Sequence, residues 1–268
     1  MNSHTLACCI RRLSLQMVHA ANASHIGGAL SMADLIAVLY SDVLRVRPED
    51  PQWPLRDRFI LSKGHCCVAL YAALATKGFF SSDELTSYGA NGSRLMTHIS
   101  HKVPGVEFST GSLGHGLPFA AGRALAAKRQ HCDWKTFVLL SDGELDEGSN
   151  WEAILFAPHH RLDNLVVIID YNKIQSLGSV SEVVELHPLA DKFRAFRWTV
   201  QEIDGHDHGQ IKHALTSTPW APGKPSVVLA HTVKGKGIDF MEGNLKWHYS
   251  APTPQQLGVA LSQIEGTS

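Results

Sequence analysis

The stretch FVLLSDGELDEGSNWEA, Phe137 to Ala153, opens as a run of large apolar residues. It then sets four acidic residues and two glycines between Asp142 and Gly148. Phe137–Leu140 carries no polar residue and is too short for a helix, which is the pattern of a strand covered on both faces. The acidic segment behind it admits two readings. It is either a solvated loop that caps the next helix, or a place where a metal and a phosphate are held.

Similar runs recur along the chain: RFILS (58–62), LVVIID (165–170), WTVQEI (198–203) and SVVLAHT (226–232). All are continuous rather than alternating, as expected of strands covered on both faces. Segments with helical spacing lie between them. Leu6, Ile10, Leu13, Met17 and Ala20–Ala21 make one stripe. Met32, Leu35, Ile36 and Leu39 make another, started by Ser31 with Asp34 three residues on, a near-capping box. Further helices are predicted over 65–77, 113–129, 148–160, 188–196 and 208–217, and TPQQLGVALSQIEGTS reads as a closing helix. Strands alternating with helices predict an α/β fold: a doubly wound, mostly parallel sheet with helices on both faces. No internal repeat or linker-like shift in composition breaks the pattern, so 1–268 reads as a single domain.

The composition is that of a globular domain: 268 residues, 44% hydrophobic, 18% charged. A net charge of −1 gives no electrostatic case for nucleic acid or a membrane surface. No apolar run approaches a membrane span, and the N-terminus has no signal-peptide core. Five cysteines, two adjacent pairs and a lone Cys132, make a poor disulfide framework. A cytoplasmic protein with reduced thiols is the expectation.

In open parallel sheets ligands bind beyond the carboxyl ends of the strands. Three segments there carry glycines and polar groups: KGHCC after RFILS, DGELDEGSN after FVLLS, and YNKIQSLG after LVVIID. Asp142 and Asn172, thirty positions apart, fall at the ends of two strands expected to be neighbours. A carboxylate, an amide oxygen and a main-chain carbonyl from such ends form a hard-oxygen site suited to Mg²⁺ or Ca²⁺ completed by phosphate oxygens. The same residues would equally serve as a helix cap and a turn.

Asp142-Gly143 followed at this distance by Asn172 resembles the thiamine diphosphate signature, whose usual opening Gly-Asp-Gly has Ser141 here in place of its first glycine. ASHIGGALSMADLIAVLY (23–40), RDRFILSKGHCCVALYAAL (56–74), PGVEFSTGSLGHGL (104–117) and VKGKGIDFMEGNLKWH (233–248) resemble transketolases specifically, in family order and over nearly the whole chain. The resemblance implies the diphosphate-binding domain of a transketolase and an enzyme that moves a two-carbon ketol unit from a ketose to an aldose. It implies thiamine diphosphate and Mg²⁺ as cofactors, with Ca²⁺ or Mn²⁺ as alternative ions. Asp142, Asn172 and the Ile174 carbonyl would bind the metal, and the Gly143 N–H a phosphate oxygen. His65, Gly111 and Leu113 would contact the cofactor, while Glu147 would sit at an interface near its symmetry mate. His25, His65, His98 and His248 would line the substrate channel and move protons. His101 competes with His98 for its position. Glu144 and Asp146 are read as loop solvation or a helix N-terminus, and His159, His160, His206, His208 and His213 as surface or helix-end residues. VKGKG, with Lys234 and Lys236, is given a mixed role: a solvated loop that also helps neutralise phosphate.

The resemblance covers only the first domain of a transketolase. It implies an N-terminal subunit that works with a partner chain carrying the pyrimidine-binding and C-terminal domains, as an α₂β₂ assembly. Pentose phosphates are the default sugars, with an unusual or unphosphorylated sugar left open. A related thiamine enzyme, either a synthase or a dehydrogenase E1 subunit, is an alternative, and so is a binding module that kept the fold without catalysis.

Overall fold

The computed structural model describes residues 1–266. Five strands form one parallel sheet: β1 (Arg58–Leu61), β2 (Thr136–Ser141), β3 (Leu165–Tyr171), β4 (Thr199–Asp204) and β5 (Ser226–His231). Their spatial order is β1-β2-β3-β5-β4. Helices connect and flank them: α1 (Ser3–Ala20), α2 (Ile26–Ser31), α3 (Ala33–Val38), α4 (Cys67–Thr76), α5 (Gly116–Arg129), α6 (Gly148–His159), α7 (Val180–Val183), α8 (Leu189–Ala195), α9 (His208–Thr216) and α10 (Pro254–Gly266). Two residues of the expected closing helix lie outside the described residues.

Alternate strand residues feed two separate cores, because successive side chains of a strand point to opposite faces. Phe59, Leu61, Phe137, Leu139, Val166, Ile168 and Val228 pack beneath α1, α3, α4 and α9. Ile60, Val138, Leu140, Val167, Ile169, Val227 and Leu229 pack beneath α5, α6 and α8. The unbroken apolar runs are thus explained for β1, β2, β3 and β5. β4 departs from the expectation. It is one of the sheet's two edges, and only Ile203 of its six residues is buried, whereas the other edge, β1, is buried throughout.

Three further expectations are corrected. The second helical stripe lies on α3, whose N-cap is Met32 rather than Ser31; Ser31 ends α2 and turns its hydroxyl to Asp170 at 2.5 Å instead of capping. α5 begins at Gly116 rather than 113, since Gly114 holds a left-handed φ of 81° that a helix cannot continue through. His206 and His208 are not surface residues. Both reach Asp34, at 2.7 and 3.1 Å, where Arg11 also binds bidentately at 2.6 and 3.0 Å.

That buried cluster fastens α1, α3 and the turn after β4 together. The Val233 N–H donates to His206 Nε2 at 2.9 Å, which leaves Nδ1 of the neutral ring to donate to Asp34. The segment after β5 is thereby tied to the same point. Burial works against the Asp34 carboxylate, but the histidine and arginine partners outweigh it and hold its pKa far below the usual range. Replacing Asp34 with alanine strands a buried guanidinium, so Asp34→Ala is expected to cost about 3–5 kcal/mol of stability in urea unfolding. A loss under about 1 kcal/mol would show that the cluster contributes little to the fold.

Candidate functional site

The register aligns the carboxyl ends of the strands, with Ser141 beside Asp170 and Tyr171 beside His231. The chain leaves the sheet there at Ser62-Lys63, Asp142-Gly143, Asn172 and Thr232. Next to these ends lies a cavity of about 420 Å³. All of the residues singled out in the sequence line it: His25, His65, His98, His248, Gly111, Leu113, Asp142, Gly143, Glu147, Asn172 and Ile174. His101 does not. It is exposed and pairs with Ser109, whereas His98 lines the cavity.

On the acidic side, Asp142 is buried and accepts two main-chain N–H groups, Gly143 at 2.7 Å and Lys173 at 2.6 Å. Burial, then the neighbouring Asp170, pushes its pKa up to about 6. A buried carboxylate in this setting is short of positive charge. Gly143 is required by close approach, as a Cβ there would come within 2.8 Å of Gln175 Cγ. The Asn172 side chain folds into a turn in which Oδ1 accepts the Ile174 N–H at 3.1 Å. The Ile174 carbonyl accepts from Lys234 Nζ at 2.9 Å, so this oxygen already faces a cation.

On the opposite wall the four histidines gather. The His25 ring lies 5.0 Å from those of His65 and His248 and 6.1 Å from that of His98. His25 holds a left-handed φ of 71°, sparsely populated for a residue with a Cβ. Its N–H donates to the His248 carbonyl at 2.9 Å, which locks the two loops together. Burial is the first cause that lowers these histidines. It takes His25 to about 4 and His248 to about 3, with His98 and Lys234 adding to the effect at His25 and Lys234 leading the charge effects at His248. His65 is lowered well below its usual value by burial, and next by Lys63. Three neutral imidazoles therefore offer both an N–H and a bare nitrogen at pH 7.

The lysines were largely missed in the sequence. Lys63 is fully enclosed, and its ammonium sits 2.5 Å from Asp170. Burial opposes its charge, but Asp170 outweighs that and holds the pKa above the usual lysine value. Lys234, nearly enclosed, lies 3.0 Å from His248 Nδ1, and burial followed by Lys63 lowers it to about 8. Lys236 faces outward to Glu242, so the two lysines of VKGKG divide the mixed role between them. Glu144 is a second correction: it is wholly buried rather than a solvated loop residue. Its carboxyl receives the Ser62 hydroxyl and the Gly114 N–H, the latter at 2.9 Å, and so fastens the glycine-rich segment 110–116 to the strand ends. Asp146 and Glu147 are exposed, as a loop reading of Asp146 expects.

Among the described residues no three His, Cys, Asp or Glu side chains converge as a metal cluster. One carboxylate, one amide oxygen and one main-chain carbonyl make a different kind of donor set. It fits a hard divalent cation that takes its remaining ligands from phosphate. Two buried lysines beside it suit the phosphate charge. The residues present fit a magnesium diphosphate group.

A parallel sheet with an anion- and cation-ready cavity at its carboxyl ends defines a domain that binds a phosphorylated cofactor. The chain belongs to the transketolase family: residues 2–260 match the model described as transketolase, thiamine diphosphate binding domain. An apulose-4-phosphate transketolase subunit of Phocaeicola vulgatus is 43% identical over 254 residues, covering 95% of this chain and 90% of that protein. The 6-deoxy-6-sulfo-D-fructose transketolase subunit SqwG of a Clostridium species is 42% identical, covering 96% and 94%. Human transketolase is 35% identical, but the match spans only 40% of its length. The transketolase structure from Leishmania mexicana superimposes with a TM-score of 0.94 at 31% identity, over 99% of this chain and 41% of that one.

The neutral histidines set a pH dependence. Their folded pKa values lie below the unfolded 6.5, so the unfolded chain binds more protons between about pH 6.5 and 4. Stability is expected to fall as the pH drops through that window. The raised carboxyl pKa values of Asp142, Glu144 and Asp146 oppose this, that of Asp142 between about 6 and 3.8. Denaturant midpoints at pH 7 and pH 5 test it, and an unchanged or higher midpoint at pH 5 counts against neutral burial of the histidines.

Proposed function

We propose that this chain is the diphosphate-binding subunit of a two-chain transketolase, transferring a two-carbon ketol unit from a ketose to an aldose. The observation that carries the reading is the convergence of all eleven residues on one cavity at the carboxyl ends of the strands. Asp142, Asn172 and the Ile174 carbonyl would hold Mg²⁺, with Gly143 donating its N–H to the diphosphate. Thiamine diphosphate, when bound, supplies the carbanion chemistry that breaks and makes the carbon–carbon bond. This chain's residues then orient the sugar and handle its protons. His25, His65 and His248 present neutral imidazoles to the substrate hydroxyls, with His98 beside them. His248 is poised by Lys234 at 3.0 Å, and that ammonium also anchors the Ile174 loop. Gly111 and Leu113 would form the wall against the cofactor rings.

A partner chain is part of the reading. The Phocaeicola and Clostridium relatives, which match along almost their full length, are named as subunits, whereas human transketolase continues well beyond the match. The rim of the cavity carries Leu177, 79% exposed, and Val184 lies exposed beyond it. An apolar rim of this kind suits a second chain closing over the cofactor, with Glu147 at the interface and α₂β₂ the assembly. A reducing compartment such as the cytoplasm suits five unpaired cysteines. The sugar is the open variable, since the two subunit relatives are named for different ones.

Co-purification with a partner chain, followed by ketol-transfer assays, tests the proposal. The pair is expected to be active and the chain alone inactive; full activity of the chain alone would sink the two-chain reading. Asp142→Ala is expected to abolish Mg²⁺-dependent thiamine diphosphate binding. His25→Ala and His248→Ala are each expected to lower turnover roughly 10²–10⁴-fold while cofactor affinity stays within a few-fold. Unchanged turnover in both would remove the histidines from the chemistry.

A further inference from the structure

Asp170 ends the buried part of β3 and is fully enclosed. Four donors converge on it: Lys63 Nζ at 2.5 Å, the Ser31 hydroxyl at 2.5 Å, the Thr232 hydroxyl, and Asn172 Nδ2 at 3.3 Å. It does not line the cavity, so it cannot itself touch a ligand there. Its influence has to pass through a neighbour, and the neighbour that matters is Asn172.

The two ends of an asparagine amide are nearly the same shape, so hydrogen-bond partners decide which faces where. Asp170, paired with an ammonium, only accepts, and it therefore takes the NH₂ end of Asn172. Ser31 Oγ, which spends its proton on Asp170, accepts from the same nitrogen at 3.3 Å. Both partners select the same orientation, and Oδ1 is left on the side of the Ile174 turn, where the cation set lies. Turning the amide over would aim its oxygen at the Asp170 carboxylate and its NH₂ at the cation.

We propose that Asp170 is a positioning residue that fixes the amide orientation of Asn172 and thereby sets the cation affinity of the site. This rests on the cation site proposed above. Lys63 completes the device: its ammonium neutralises the carboxylate at Oδ2, the same oxygen that accepts from Asn172, and keeps that oxygen an acceptor only. Support of this kind behind a metal ligand typically changes affinity 10–100-fold.

The test uses the chain with its co-purifying partner, thiamine diphosphate, and Mn²⁺ as the probe, with free Mn²⁺ read by electron paramagnetic resonance. Removing Asp170 alone would strand the Lys63 charge, so both residues are changed together. Lys63→Met/Asp170→Asn keeps an acceptor oxygen for Asn172, whereas Lys63→Met/Asp170→Leu has none. Both lose Lys63 alike, so the comparison is between them: the second is expected to bind Mn²⁺ about 10–100-fold more weakly than the first. Equal binding by both variants, whether strong or weak, overturns the proposal. Wild-type protein that binds no Mn²⁺ in the presence of thiamine diphosphate overturns the cation site itself, and is distinguishable for that reason. A check that needs no folded variant is the exchange rate of the Asn172 side-chain NH₂ in wild type by NMR. Slowed exchange is expected, and a rate equal to that of an exposed asparagine overturns the proposal.

Discussion

A carboxylate removed from water must find positive charge and hydrogen-bond donors, or the surrounding fold gives way. Asp170 meets that condition at the end of a central strand by drawing Lys63 from the loop after β1, Ser31 from the end of α2 and Thr232 from the end of β5. The strand ends, the α2 region and the cavity wall are positioned together because each supplies one of its partners. Asp142, one strand away, lacks such a cluster, and its raised pKa expresses the difference. One buried acid is satisfied by the protein, while the other is left for a ligand to satisfy.

Charge at the site is arranged in two walls. The acidic side holds Asp142 with its main-chain donors. The other side holds histidines kept neutral by burial and by two lysines. The arrangement places uncharged hydrogen-bonding groups and buried positive charge side by side in one cavity. His25 carries part of the cost in its left-handed backbone, which is held by the His248 carbonyl.

Much of this was legible in the sequence, for definite reasons. Unbroken apolar runs mark strands buried on both faces, and four of the five behave that way. The fifth, WTVQEI, has the same look but is largely uncovered; both it and the buried β1 are edge strands, and which edge is covered is set by tertiary packing that local composition does not encode. Site residues were legible where they follow strand ends directly: Asp142, Asn172 and His65. Lys63, Asp170 and Glu144 were missed because their partners lie 107 and 82 positions away in sequence. The available signal was a charged residue directly ending an apolar run, as in LVVIID and RFILSK. His206 and His208 were misjudged because a histidine in a turn looks exposed until its partner, Asp34, is known to lie beside it.

The partners of Asp170 span positions 31 to 232, so the cluster forms only when nearly the whole domain has come together. A fragment that begins after Ser31 or ends before Thr232 lacks part of the cluster. A gene of this family can therefore be divided between domains, as the relatives named as subunits suggest, but a break within this domain would separate Asp170 from the groups that stabilise it.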